Sequence, residues 1–387
     1  MIRKHGDEVL LTPGPVTVPG RVLEASGRPL LHYGSAKFGG LMRTILDGMK
    51  EVFGTKNEVL PLCGSGRTGL EGTVCTLFSP GEEVLSICSG RFGIMYADIF
   101  ERYGIKVMRI AKDWAKDVDL DEVVQALKAN PQIKAITVPH CETSTGVIHD
   151  LGALGNIARE YDKLLLVDAV SSAGGVEMRV DEWGVDSAAT GSQKALMSPP
   201  GMGFVTLSDR AWKAAEKATL PGCYFDLRAL RRSASSDFPG TPGTPPVTLV
   251  AAVAEAITMM LEEGLPNIYE RSEKIAGAVR AGFVASGLRL FPENVRRRSP
   301  TVTVVQMPDE HESRELVRVL GEEFGLIPAT GLGSYSKRLL RFGTMGAFYQ
   351  REAINMVVAV EAALVKMGVN KEAGAGVRAC VAALFGS

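Results

Sequence analysis

Between residues 134 and 208 the chain carries four short apolar runs: Lys134–His140 (KAITVPH), Lys163–Val170 (KLLLVDAV), Asp186–Ser192 (DSAATGS) and Gly201–Ser208 (GMGFVTLS). Each is short, rich in β-branched or small residues and bounded by polar or glycine positions, which reads as a strand buried on both faces. Leu151–Tyr161, between the first two, sets its apolar residues at helical spacing. Asp119–Asn130 begins with acids and carries Leu120, Val123, Val124 and Leu127 on one face. Strands that alternate with helices need crossover connections. The expected fold is therefore α/β, a large domain whose mostly parallel sheet is flanked by helices.

The pattern changes after about residue 260. Leu265–Ser286 reads as one long helix, Thr301–Met307 (TVTVVQM) as a strand, Glu312–Phe324 as a helix, Arg338–Thr344 as a strand and Gln350–Met367 as a helix. This predicts a smaller C-terminal α+β domain. With 387 residues the chain can bury two cores. The expected division is an N-terminal arm over 1–15, a large domain over 16–260 and a small domain over 261–387. The arm ends Thr12-Pro13-Gly14-Pro15, which cannot continue a helix. Phe238–Pro246 (FPGTPGTPP) reads as a loop, and the tail Val369–Ser387 as a further helix whose packing partner the sequence does not indicate.

Lys+Arg at 43 nearly cancels Asp+Glu at 44, so no long-range field favours nucleic acid or an anionic membrane. The short basic run Arg296-Arg297-Arg298 reads first as a solvated turn ahead of a strand, with an anion site as the lesser alternative. Six scattered cysteines without a C-x-x-C pair argue for free thiols rather than zinc or disulfide staples. The first residues lack an apolar leader core, and no 18-residue apolar run exists, so a cytoplasmic protein is the expectation.

Three features carry chemistry. Gly191-Ser192-Gln193-Lys194, followed by Ser198-Pro199-Pro200-Gly201, ends an apolar strand on a lysine inside a small-residue turn. Open α/β sheets bind ligands at such strand ends, and a lysine shielded from water there becomes a carbonyl nucleophile. Alone, the same pattern describes a surface lysine. Asp168 ends the strand KLLLVDAV, 26 residues earlier. A carboxylate in apolar company is either a helix N-cap or the partner of a buried cation such as a protonated pyridine nitrogen. Gly64-Ser65-Gly66-Arg67-Thr68-Gly69 leads into an apolar helix, the geometry of an anion site and equally of an ordinary glycine turn.

Taken together, GSGRTGLEG, HCETSTGV, LLLVDAVSS, DEWGVDSAATGSQKALMSPPG and LLRFGTMG, in this order, resemble the class V aminotransferases of pyridoxal 5′-phosphate (PLP) fold type I. The group most resembled is the alanine/serine–glyoxylate aminotransferases, over roughly residues 10–365 and including the opening LLTPGP. The resemblance implies a homodimer with shared active sites that moves an amino group from alanine, serine or a similar donor to a small 2-oxo acid, with glyoxylate favoured over pyruvate. It implies Lys194 as the Schiff-base lysine and proton shuttle, Asp168 as partner of the pyridinium nitrogen and Val170 beneath the ring. Phe92 falls where the family stacks an aromatic, although its residue pattern alone is that of ordinary core. Thr143 falls near the phenolic oxygen, and Ser65, Gly66, Arg67 and Gln193 around the phosphate. Thr244 resembles the residue that reaches the partner subunit's phosphate, and Arg341 the arginine that clamps the substrate carboxylate. Arg341 alone reads as a strand arginine, at the surface or, given Leu340 and Phe342 beside it, in a pocket. Three departures stand out: an arginine after the glycine–serine–glycine of the phosphate loop, Thr241 where relatives often have tyrosine, and Leu31-His32-Tyr33-Gly34-Ser35 where many glyoxylate enzymes have His-Arg-Ser. A desulfurase or β-lyase of the same fold is the alternative. Desulfurases typically place a histidine before the lysine and a cysteine on a small-domain loop; here Gln193 precedes Lys194, and no cysteine lies between Cys223 and Cys380.

Overall fold

The computed structural model describes residues 8–111, 113–234, 241, 243–370 and 372–386. Its large sheet has seven strands in the order Val59–Cys63, Met202–Leu207, Ser187–Gly191, Leu164–Asp168, Ile133–Pro139, Glu83–Cys88 and Lys106–Ala111. Met202–Leu207 runs antiparallel to both of its neighbours, and the ladders from Ser187–Gly191 to Lys106–Ala111 are parallel. The reason is connection length. Only residues 192–201 separate Ser187–Gly191 from Met202–Leu207, too few for a crossover helix, so the chain must turn back. Lys194 sits in that return. The four strands read from the apolar runs all form, each within two residues of the expected ends.

Helices cover both faces of the sheet. Asp119 and Asp150 start two of them, accepting from the backbone N–H groups of Asp121 and Ala153 at 3.0 Å each. Asp168 does not act this way. No helix begins after it until Val180–Trp183, and its Oδ1 accepts instead from the Val170 N–H at 2.9 Å. The N-cap reading of Asp168 is thereby set aside.

A second, antiparallel sheet orders Arg289–Leu290, Val302–Gln306, Leu339–Gly343 and Ala329–Thr330. Its core joins Phe342, Val305 and Leu340 to Phe283, Val279, Met356 and Val360 from the helices Leu265–Ala285 and Gln350–Lys366. The helix expected over Glu312–Phe324 is α-helical only at Ser313–Val319. Its last turn, Leu320–Phe324, widens to π geometry around Gly321, a weak helix former, and Gly325 at φ 64° ends it. In the basic run, a short 3₁₀ turn at Val295–Arg297 precedes the strand Val302–Gln306. Arg297 pairs there with Asp117 and Asp150 at 3.3 and 3.1 Å.

The tail forms a helix, Ala375–Phe385, that lies along Leu265–Ala285. Glycine permits the approach, since a Cβ on Gly376 would sit 2.0 Å from Ser286 Oγ. The buried Glu361 carboxylate accepts from the Gly376 and Val377 N–H groups at the start of that helix. At the other end of the chain, Val9–Leu10 pairs in parallel with Leu326–Ile327, and the Gly343 N–H donates to Leu11 at 2.7 Å. Residues 1–7 of the expected arm, and residues 238–240 and 242 of the loop 238–246, fall outside the described residues. Among the described residues no helix is long and apolar enough to cross a membrane.

Candidate active site

A cavity of about 300 Å³ opens where the parallel strands of the large sheet end. Lys194 and Gln193 enter it from the return after Ser187–Gly191, and Asp168 and Val170 from the end of Leu164–Asp168. Thr143 follows the short strand Cys141–Glu142, Phe92 lies in the first turn of the helix Arg91–Arg102, and Ser65, Gly66 and Arg67 begin the helix Gly66–Leu77. These residues lie between 65 and 194 in sequence and come together because each stands at or just beyond the end of a strand. For Thr143 that strand belongs to a separate two-stranded pair, and for the others to the large sheet.

Lys194 is 8% exposed. Burial lowers its amine from the ordinary 10.5 to about 8, with Asp168 opposing and the Arg341 charge assisting. Asp168 moves the other way. Burial lifts its carboxyl from 3.8 to about 6, against the Val170 hydrogen bond and the charges of Lys194 and Arg67. At neutral pH the cavity thus pairs a carboxylate with an amine poised near its titration point.

The helix Gly66–Leu77 presents an open N-terminus: Ser65 stands at the N-cap without a side-chain cap bond. Gly66 is required by packing. A Cβ there would lie 2.3 Å from Val170 Cγ2 and 3.1 Å from the Thr190 carbonyl carbon. Beside it, Gln193 Oε1 is buried with no hydrogen-bond partner. A Cβ on Gly191 would touch both, at 2.8 Å from Gln193 Oε1 and 2.9 Å from the Gly66 nitrogen. Open backbone N–H donors and the unpartnered Gln193 side-chain oxygen therefore meet at one small cradle.

The sequence reading passed over several contributors. Gly14, Leu70, Met95 and Ser171 also line the cavity, and Ser171 Oγ meets Thr143 Oγ1 at 2.5 Å. Glu142 lies just behind the wall. It accepts from the Phe92 and Gly93 N–H groups at 3.0 and 2.9 Å, and from Ser144 through N–H at 3.0 Å and hydroxyl at 2.5 Å. Burial raises its carboxyl and these donors oppose the shift. It anchors the helix start that carries Phe92. An acid inside HCETSTG, beside serine and threonine donors, was the available signal.

Arg341 and Thr244 are not on the cavity wall. Arg341 is buried in the small sheet, with Nε donating to the Thr330 carbonyl at 2.8 Å. Burial lowers it to about 10, against the attraction of Glu142. Thr244 is exposed, just before the helix Val247–Glu263.

The aminotransferase class-V family model matches residues 27–344. The L-aspartate–glyoxylate aminotransferase of Paracoccus denitrificans is 32% identical over 375 residues, 96% of this chain and 94% of that protein. A serine–glyoxylate aminotransferase of Methylorubrum extorquens is 31% identical over 387 aligned positions, 97% of this chain and 96% of the relative. The crystal structure of the ureidoglycine–glyoxylate aminotransferase of Bacillus subtilis superposes with a TM-score of 0.92 at 32% identity, over 99% of both chains. With this sheet, this cavity and these relatives, the chain belongs to the class V aminotransferases, PLP-dependent transaminases of fold type I.

Proposed function

We propose that the protein transfers an amino group from a small amino acid to glyoxylate in preference to pyruvate, with Lys194 and Asp168 as the catalytic pair. The observation that carries this reading is the buried amine near pKa 8 sharing one cavity with a buried carboxylate. The acceptor rests on the three relatives described above, which are named for glyoxylate, while their donors differ among aspartate, serine and ureidoglycine.

The residues fit PLP. The open helix start at Gly66 and Arg67, with Ser65 and Gln193, would hold the phosphate, the uncapped backbone N–H groups and the Gln193 amide N–H donating to it. Asp168 would face the ring nitrogen, Val170 and Phe92 the ring's two faces, and Thr143 the phenolic oxygen. When bound, PLP supplies an electrophilic carbonyl carbon and a ring that draws electron density from the substrate's α-carbon. Lys194 Nζ, kept partly neutral by burial, takes the α-proton and later returns one. Asp168 keeps its negative charge so that a proton stays on the ring nitrogen. Arg341 offers a planar fork to the substrate carboxylate and fixes which bond of the amino acid is presented to Lys194.

The wider assignment extends to a cytoplasmic homodimer in which Thr244 reaches the partner's phosphate. It also divides the chain into arm, large and small domains at residues 1–15, 16–260 and 261–387. A panel of amino donors against glyoxylate and pyruvate, with products identified, tests the reading. Glyoxylate should give the highest specificity constant. Pyruvate turnover without glyoxylate turnover overturns the acceptor, and sulfur release from cysteine without transamination restores the desulfurase alternative.

A further inference from the structure

We infer that the backbone of the N-terminal arm at Pro13–Gly14 positions Lys194: the Pro13 carbonyl holds the free amine, and Gly14 keeps open the space its side chain occupies. This rests on reading Lys194 as the reactive lysine.

The contact spans 181 positions of sequence. Lys194 Nζ donates to the Pro13 carbonyl oxygen. At Gly14 the lysine stem passes so close that a Cβ would lie 2.3 Å from Cδ and 2.6 Å from both Cε and Nζ. Gly14 also holds φ at 109°, a region that L side chains rarely adopt. Two separate demands therefore exclude a side chain, one from the backbone and one from Lys194 itself.

The arm cannot readily step aside. The Leu11 N–H donates to Ile327 at 2.9 Å, the Gly343 N–H to Leu11 at 2.7 Å and the Val16 N–H to Gln193 at 3.2 Å. On its other flank the arm lies against Gly343, where a Cβ would meet the Thr12 oxygen at 2.4 Å and Pro13 Cα at 3.0 Å. The segment is gripped between the strand that carries Arg341 and the turn that carries Lys194. A side chain at position 14 would thus be relieved by moving the lysine rather than the arm.

The chemistry suits a positioning role. A carbonyl oxygen only accepts, so it engages one N–H and leaves the lone pair of the neutral amine free to take a proton or to attack a carbonyl carbon. The same acceptor serves the ammonium form. The nitrogen is held in place through both protonation states, and rotation about Cε–Nζ is restricted while it moves a proton. The arm also ties this acceptor to the small sheet, two residues from Arg341 along the strand Leu339–Gly343.

The test is a double-mutant cycle on the full-length protein stripped of cofactor, read as melting temperature. Gly14→Ala should lower it by roughly 2–4 °C in the native background and by less than half of that in the Lys194→Ala background. Backbone strain is common to both, so the difference isolates the lysine contact. Equal losses in the two backgrounds overturn the inference. Should Gly14→Ala fold in neither background, amide exchange decides. The Val16 amide of Lys194→Ala, whose partner is the Gln193 carbonyl, should exchange about tenfold faster than in the native protein, and unchanged exchange overturns the inference. A cofactor fixed to a different lysine would overturn the reading of Lys194 as reactive yet leave the cycle's outcome as it stands.

Discussion

In the large sheet, Leu164–Asp168 and Ser187–Gly191 are buried from end to end and deliver Asp168 and the Lys194 turn straight to the cavity. In the small sheet, Leu339–Gly343 is buried just as completely, yet its arginine lies off the cavity wall with Nε tied to the Thr330 carbonyl. The first region builds a site by ending parallel strands together, so several side chains converge from the short connections between buried strands. The second sends a single long side chain from a separate layer. The cofactor side, as proposed, is therefore fixed by one continuous scaffold. The proposed substrate side depends on how one sheet sits against another, with the arm as its tie. Substitutions on the large sheet should accordingly abolish chemistry, whereas substitutions on the small sheet should retune substrate preference.

The largest effect is expected at Lys194. Lys194→Ala removes nucleophile and proton carrier together, and turnover should fall by several orders of magnitude in a single-turnover assay. Asp168→Asn comes next. It should keep some cofactor yet lose about 100-fold or more in turnover, because a neutral amide cannot retain the ring proton. Stability should move the opposite way. The folded carboxyl titrates near 6 against an ordinary 3.8, so the folded state binds the proton more tightly. Its favourable contribution is complete below 3.8 and is lost as pH rises through 6. At pH 7–8 the cofactor-free Asn variant should therefore be more stable to unfolding than the native protein, by about 3 kcal/mol, and melt higher. A lower melting point would show that Asp168 is a structural anchor.

On the small sheet, Arg341→Lys keeps the charge and loses the fork. The specificity constant for carboxylated donors should drop roughly 10- to 150-fold. With a donor amine that lacks the carboxylate, the same variant should lose little, and equal losses would assign Arg341 to the fold alone. The smallest effect is a pH profile. With Lys194 near 8, the rate of cofactor capture should rise about fivefold from pH 7 to 8 and then level off. A rate still climbing tenfold per pH unit toward 10 would place the amine in an unperturbed setting.

The large-sheet wall of the cavity was largely legible in the sequence because its signals are local. Continuous apolar runs announce buried strands, and a lysine, an acid or a glycine–serine turn at their ends announces what those strands present. The positions that escaped notice depend on contacts far apart in the chain. Glu142 meets Phe92 across 50 positions and Lys194 meets Pro13 across 181, and no periodicity encodes either. The tail helix was visible as a helix, but its docking through Glu361 and Gly376 was not. Asp168 shows the converse: local pattern alone allowed an N-cap, and the missing helix after it decides otherwise.

The most direct test of the central claim is borohydride reduction of the PLP-loaded protein followed by peptide mapping. The account predicts a single modified residue, Lys194. Lys163 offers a stringent control, being a buried lysine whose Nζ donates to the Pro131 carbonyl at 2.6 Å, outside the cavity. Modification at Lys163 or any other lysine, or a protein that takes up no cofactor, would contradict it.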